Sequence, residues 1–277
     1  MNSLYTYKNS KELLSMPPTK LNYELCELCS TLYPNLTEVS ELVQSGANVN
    51  CEAEKELEDG LFEGMTPLMI ASRRTDDHNL IHLLLQLGAD IHMEDWRGWT
   101  PLVIAVQNNN NDKVISSLIN SGADVNKLAG KFSTRSPISF AAGSTLNPNV
   151  ITLLVDAGAN INEVDSIGVT PLMSAVMGNL QGRPAEGNVE IVIPHNNLSV
   201  IDQLLYLGAD VNIAPDDGHS CLMFASGSHE HVDRDTPMAP PPLLPKPKLL
   251  STLLNAGADA LAKNSGGKNA WDFASKS

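Results

Sequence analysis

Cysteine, histidine and carboxylate spacing is where chemistry would first show in this chain. Cys26 and Cys29 form a CxxC, and on a helix residues three apart share a face. Leu25, Leu28 and Leu32 surround the pair, and no second ligand pair with zinc spacing follows, so the two thiols read as core packing. His229 and His231 stand beside Asp233 and Asp235, all ligand types, but the proline-rich stretch around them is a poor rigid frame for a metal. No Ser–His–Asp or Cys–His set sits in a recognisable local context, and every glycine is accounted for by turns and caps, leaving none to cradle a phosphate. The expectation is therefore no catalytic residue, no cofactor and no metal. What remains is recognition chemistry. In Glu94–Trp99 (EDWRGW), Trp96 and Trp99 flank Arg97, and tryptophan and arginine are the residues enriched where interfaces concentrate their binding energy.

Composition narrows the partner. The net charge is −14, which argues against nucleic acid and anionic membranes, because phosphate binding needs clustered lysine and arginine. The apolar fraction is 42% with only 5% aromatic residues, so aliphatic side chains and alanine must build the core. No run approaches the roughly 18 apolar residues of a membrane span, and the start, MNSLYTYKNSKELL, lacks the apolar region of a signal peptide. Four cysteines without a framework pattern fit a reducing compartment. We expect a monomeric cytoplasmic protein, in its own cell or in a host's, with a protein partner.

The elements that must position these residues repeat. Gly98–Asn126 (GWTPLVIAVQNNNNDKVISSLINSGADVN) predicts two short helices and a hairpin finger. Thr100 can cap the first helix, Pro101 occupies its first position, and Val114, Ile115, Leu118 and Ile119 line one face of the second. Gly122 stands where a C-cap needs a left-handed residue. Each helix is too short to persist alone in water, so neighbours are required. Near-copies of the first half begin at Gly64, Gly98, Thr134, Gly168, Gly218 and Gly267, in steps of 34, 36, 34, 50 and 49 residues. Copies of the second half end in GADIH, GADVN, GANIN, GADVN and GADAL. Upstream, Leu21–Leu32 and Asn35–Gly46 predict two more amphipathic helices, closed by GANVN, with the first of the pair degenerate.

From about residue 21 onward this pattern resembles the ankyrin-repeat family, whose period is near 33 residues. The resemblance implies an all-α solenoid of helix–turn–helix units with short β-hairpin fingers and a concave binding face. Expected boundaries are a flexible 1–16, an N-terminal capping repeat at 17–50, an extended acidic hairpin at 51–63, repeats over 64–266 and a capping half-repeat at 267–277. The histidine that usually follows the TPL motif is absent; Met69, Val103, Ser139, Met173 and Met223 stand there, and the loss of its hydrogen bonds is expected to loosen individual repeats. Binding residues are then expected on the finger tips and the exposed side of the first helices: Arg73, Arg74, Gln107 and Asn108 on helices, and Trp96, Arg97, Trp99, Phe132, Arg135, Asp216, Asp217 and His219 on tips, with Lys127, Lys131 and Asp165 beside them. Charge would change along that edge from acidic to aromatic-basic and back to acidic. The family's finger asparagines can also be hydroxylated, and the spacing of leucine and acid before Asn126, Asn212 and the histidine analogue His92 fits such a substrate; their other role is to hold the turn.

Two insertions lengthen consecutive repeats, at 177–199 and 227–248. The first carries Val189, Ile191 and Ile193 in alternation, a short strand or adherent loop. The second holds Arg234, Pro237 and Pro240 at the spacing of a ligand for SH3-type grooves, a segment that otherwise reads as a stiff polyproline linker. The expected function is a non-catalytic protein-interaction module, with an ankyrin effector of a bacterial pathogen or virus acting on host proteins as a refinement. The rival is an enzyme or enzyme regulator with an active site hidden in the insertions, around His195 or His229.

Overall fold

The computed structural model describes residues 17–53, 62–109, 111–131, 134–177, 198–226 and 247–274. Among them are thirteen helices: α1 (Pro18–Cys29), α2 (Leu36–Gln44), α3 (Pro67–Arg74), α4 (His78–Gln86), α5 (Pro101–Asn108), α6 (Asp112–Asn120), α7 (Pro137–Ser144), α8 (Pro148–Asp156), α9 (Pro171–Met177), α10 (Leu198–Tyr206), α11 (Cys221–Ala225), α12 (Pro247–Asn255) and α13 (Ala270–Ala274). The chain divides into two compact units, Met1–Asp124 and Val125–Ser277. In the first, α1, α3 and α5 stack in sequence, with α2, α4 and α6 as the outer layer. In the second, α7, α9, α11 and α13 stack likewise, and α8 and α10 pack side by side outside them.

The local chemistry explains the two layers. Thr66, Thr100, Thr170 and Ser220 each accept a hydrogen bond from the third amide of an inner helix through their hydroxyls, which satisfies one donor the helix cannot. A proline follows at the first position in α3, α5, α7 and α9, where no amide is needed. Inner helices are enclosed on all sides: Pro101 to Val106 are all buried in α5, and Pro67 to Ser72 in α3. Outer helices bury only a stripe, such as Leu80, Ile81 and Leu84 or Val150, Ile151 and Leu154. Each of these side chains contributes about 1.5–3 kcal/mol on full burial, so stacking supplies what eight- or nine-residue helices lack alone.

Two expectations need adjusting. The first helix begins at Pro18, not Leu21, and ends at Cys29; at twelve residues it is longer than its counterparts, because Pro18 opens the helix. The fingers carry no strand among the described residues. Each described finger is a tight turn closed by one or two backbone bonds, as between Asp95 and Trp99 or Ala129 and Arg135.

Finger asparagines bolt successive repeats together. The Asn50 carboxamide donates to the Gly88 carbonyl at 3.0 Å and accepts from the Asp90 amide at 2.8 Å. Asn126 bridges to Gly158 and Asn160, and Asn212 to Gly257 and Asp259, in the same way. His92 occupies this place in its repeat, and the exposed imidazole makes neither bond. His92→Asn is therefore expected to add about 1 kcal/mol of stability and to raise the thermal midpoint by roughly 2–4 °C. A midpoint that stays put or falls would mean that the Gly122–Asp124 backbone is out of register with the bolt.

Candidate functional site

A buried acid shapes the finger of the second full repeat. Asp95 is 5% exposed, and its Oδ1 accepts from the amides of Arg97 and Trp99, both at 2.9 Å. This Asx turn closes on Gly98, whose amide donates to the Asp95 carbonyl at 2.8 Å. Asp165 does the same in its own finger through the amides of Ile167 and Val169, and Asn264 Oδ1 accepts from the Lys268 amide in the last finger. The signal was present in the sequence as an Asp or Asn three residues before the finger glycine, at Asp95, Asp165 and Asn264. It points to the turn's architect rather than to a binding residue.

The turn gives Trp96, Arg97 and Trp99 different tasks. Arg97 folds back on its own finger: Nε donates to Asp95 Oδ2 at 2.8 Å and Nη2 lies 2.7 Å from the same oxygen. Its guanidinium carbon sits 3.9 Å above the Trp99 ring centre and 5.6 Å from that of Trp96. Arg97 and Trp99 are thus internal to the tip. Trp96 is 62% exposed and touches the preceding finger along one edge, where its Cδ1 lies 3.5 Å from the place a Cβ on Gly64 would take. Gly64 adopts a positive φ of 72°, so its backbone favours the missing side chain.

The other expected residues divide as sharply. Arg73 and Arg74 are half-buried, with the Arg74 guanidinium 5.4 Å from the Phe62 ring centre. Arg135 is half-buried rather than displayed, stacked 5.1 Å from the Phe140 ring centre and bonded to the Ser139 carbonyl and Ser174 hydroxyl. Burial lowers its pKa from the usual arginine range, and nearby Asp165 acts in the opposite direction. His219 is only 4% exposed, held between Asp217 and Asn264. Asp216 is exposed and Asp217 partly so. Asn126 and Asn212 have their carboxamides engaged in the inter-repeat bolts. Phe132, Arg234, Pro237 and Pro240 lie outside the described residues, as do His195, His229 and most of both insertions and of the acidic hairpin.

Composition alone did not reveal an apolar group on the second unit's fingers: Leu128, Val164 and Ile167 are 43%, 43% and 60% exposed. Lys131 is exposed on the same finger as Leu128. All four cysteines are buried free thiols, with Cys26 Sγ 3.7 Å from Cys51 Sγ. Burial raises the Cys29 thiol pKa well above the usual range, and that of Cys221 to about 12. Such thiols are poor nucleophiles at neutral pH. No helix among the described residues is long and apolar enough to cross a membrane.

Residues 28–129 match the family model described as ankyrin repeats, in three copies. No curated protein matches the chain. Among solved structures, the crystal structure of the ankyrin repeat domain of Bcl-3, described as a unique member of the IkappaB protein family, aligns over 94% of each chain. Its TM-score is 0.64 at 24% identity, a likeness of fold. Capped helix pairs, stacked inner and outer layers and the structural likeness agree: the chain has the ankyrin-repeat fold, and its residues 28–129 match the ankyrin-repeat family model.

Proposed function

We propose that this chain is a non-catalytic interaction module that binds a protein through its finger tips and the adjoining first-helix faces, with the insertions adding to the surface. The ankyrin fold is a general protein–protein interaction module. The single observation that carries the finer reading is Trp96, a large aromatic side chain held 62% exposed on a tip made rigid by the Asp95 turn. Rigid exposed aromatics lose little conformational entropy on binding and dominate interface energetics. Leu128, Val164 and Ile167 offer a separate apolar surface on the second unit. The buried free thiols support work in a reducing compartment, as a monomer in the cytoplasm of its own cell or as an effector in a host's.

The test is comparative capture. Wild type and Trp96→Ala are immobilised, exposed to the same cell extract, and the retained proteins are quantified by mass spectrometry. At least one is expected to fall about five- to thirty-fold with Trp96→Ala, corresponding to about 1–2 kcal/mol. Unchanged capture of every retained protein would remove Trp96 from the interface. Trp99→Ala is unsuitable as the probe, because Trp99 carries the Arg97 guanidinium and one end of the turn.

A further inference from the structure

We infer that Cys26 and Cys51 are a peroxide-responsive pair whose closure to a disulfide fastens α1 to the base of the first finger. The two sulfurs come from residues 25 apart in sequence and lie 3.7 Å from each other, and none of the four cysteines is in a disulfide. A disulfide bond is about 2.05 Å long, so roughly 1.7 Å separates the present contact from a bond. The finger is held in place for it. Asn22 stands one turn before Cys26 on α1, so the two share a face. From that face the Asn22 side-chain oxygen accepts from the Asn48 amide at 2.8 Å. The Asn22 backbone carbonyl accepts from Cys51 Sγ at 3.9 Å, and the Cys51 amide donates to the Asn48 carbonyl at 3.0 Å. Asn22 thus holds Asn48 and Cys51 against α1, beside Cys26.

Exposure orders the chemistry. Cys51 is the least buried of the four, at 7%, against 2% for Cys26 and 0% for Cys29 and Cys221. A small peroxide therefore meets Cys51 first. Its thiolate attacks one oxygen of hydrogen peroxide, the O–O bond breaks, and after a proton is taken up the products are the Cys51 sulfenic acid and water. The Cys26 sulfur then attacks the Cys51 sulfur. The S–O bond breaks, hydroxide leaves with the Cys26 proton as a second water, and the S–S bond forms. Two thiols and one hydrogen peroxide give one disulfide and two waters, with two electrons passing from sulfur to the peroxide. Cys29 does not compete, because burial, with Cys51 adding to it, keeps its thiol protonated. Cys221 lies in the second unit. In a reducing compartment the pair stays open until peroxide rises, and thiol exchange reopens it. The closed loop encloses α2, so the bond constrains the unfolded chain and stabilises the first repeat.

The experiment uses the full chain, reduced, freed of reductant and exposed to hydrogen peroxide at about 0.1–1 mM, either folded or in urea. Remaining thiols are alkylated, the chain is cut after glutamate, and the peptides are read by mass spectrometry. Cuts at Glu24, Glu27, Glu38, Glu41 and Glu52 put Cys26, Cys29 and Cys51 on separate peptides. The folded chain is expected to give mainly Leu25–Glu27 joined to Leu42–Glu52, and the chain in urea a mixture of pairings. The thermal midpoint of the oxidised chain should lie roughly 3–8 °C above that of the same sample after dithiothreitol. Comparing one sample with itself cancels any methionine oxidation. Cys51→Ser should show no such difference. Linkage of Cys29 to either partner in the folded chain, over-oxidation of Cys51 without a link, or four thiols that all stay open to alkylation would each overturn the inference. So would the same mixture of links from folded and unfolded chain, since the fold would then not select the pair. A Cys26–Cys51 link that leaves the midpoint unchanged or lowers it would show that the bond fastens nothing. The peptide map and the dithiothreitol comparison need only wild type, so they decide even if Cys51→Ser fails to fold.

Discussion

Replacing Arg135 with alanine is expected to cost about 2–4 kcal/mol of stability in urea unfolding, well beyond the usual effect of a half-exposed finger residue. Its Nη2 donates to the Ser174 hydroxyl at 2.8 Å and to the Ser139 carbonyl at 3.2 Å. Ser174 is only 1% exposed, so water cannot easily replace the lost donor. Hydrogen bonds from a charged group contribute roughly 1.5–3 kcal/mol each, and the stack on Phe140 adds up to about 2 kcal/mol when desolvated. Opposing these is the desolvation of the guanidinium itself, which lowers its pKa. A further cost falls on Nε, which is buried and has no hydrogen-bond partner among the described residues. The difference leaves the stated range. Two further variants isolate the cause. Arg135→Lys has no planar fork and should recover less than half of the loss. Arg135→Met restores packing without charge; stability equal to wild type would show that desolvation cancels the bonds and that the arginine is no clip.

Arg135 also marks how far the sequence could be read. The inner helices were legible because their signal is local: a Thr or Ser cap, a proline at the first position and a run of aliphatic residues lie within nine residues of one another. The absence of the TPL histidine predicts a loss of hydrogen bonds. In α3 the thioether of Met69 accepts from the Thr66 amide at 3.4 Å while the Met69 amide bonds back to Thr66 Oγ1, and in α7 the Ser136 hydroxyl donates to that of Ser139. The capping function is thus partly redistributed. Finger residues were less legible because their fate is set by the next repeat. Arg135 meets Ser174 thirty-nine residues on, and His219 meets Asn264 forty-five residues on. No local pattern distinguishes a tip arginine that reaches outward from one drawn under the following finger. Trp96 and Trp99 looked equivalent in EDWRGW. The Asp95 turn separates them by giving Trp99 the arginine and leaving Trp96 in water.

His219→Ala is expected to cost about 2–4 kcal/mol and to loosen the end of the second unit selectively. The imidazole Nδ1 lies 2.8 Å from Asp217 Oδ2, and Nε2 lies 3.1 Å from Asn264 Nδ2. The Asn264 carboxamide is oriented by its other end, because Oδ1 accepts from the Lys268 amide at 2.9 Å. Nδ2 must then donate to Nε2, which leaves Nδ1 as the protonated nitrogen, donating to Asp217. Phe224 and Phe273 lie 5.8 and 5.9 Å from the imidazole, centre to centre, so the side chain is both a polar connector and part of the core. Around it the backbone closes tightly: the Ser265 amide donates to the Asp217 carbonyl at 2.8 Å, and Gly218, at a φ of 75°, would place a Cβ only 3.0 Å from Asn264 Cα. The five-residue α13 has too few turns to hold by itself and depends on this junction with α11 for its place. Hydrogen exchange should therefore accelerate across residues 264–274 in His219→Ala while amides of α3 and α5 keep their protection. His219→Phe refills the volume but strands the Asn264 amide, and should still lose about 1–3 kcal/mol. Pairing it with Asn264→Ala in a double-mutant cycle is expected to return a coupling of at least about 0.5 kcal/mol. Strictly additive losses, or unchanged exchange at the C-terminal helix, would mean that aromatic packing alone seats the last half-repeat.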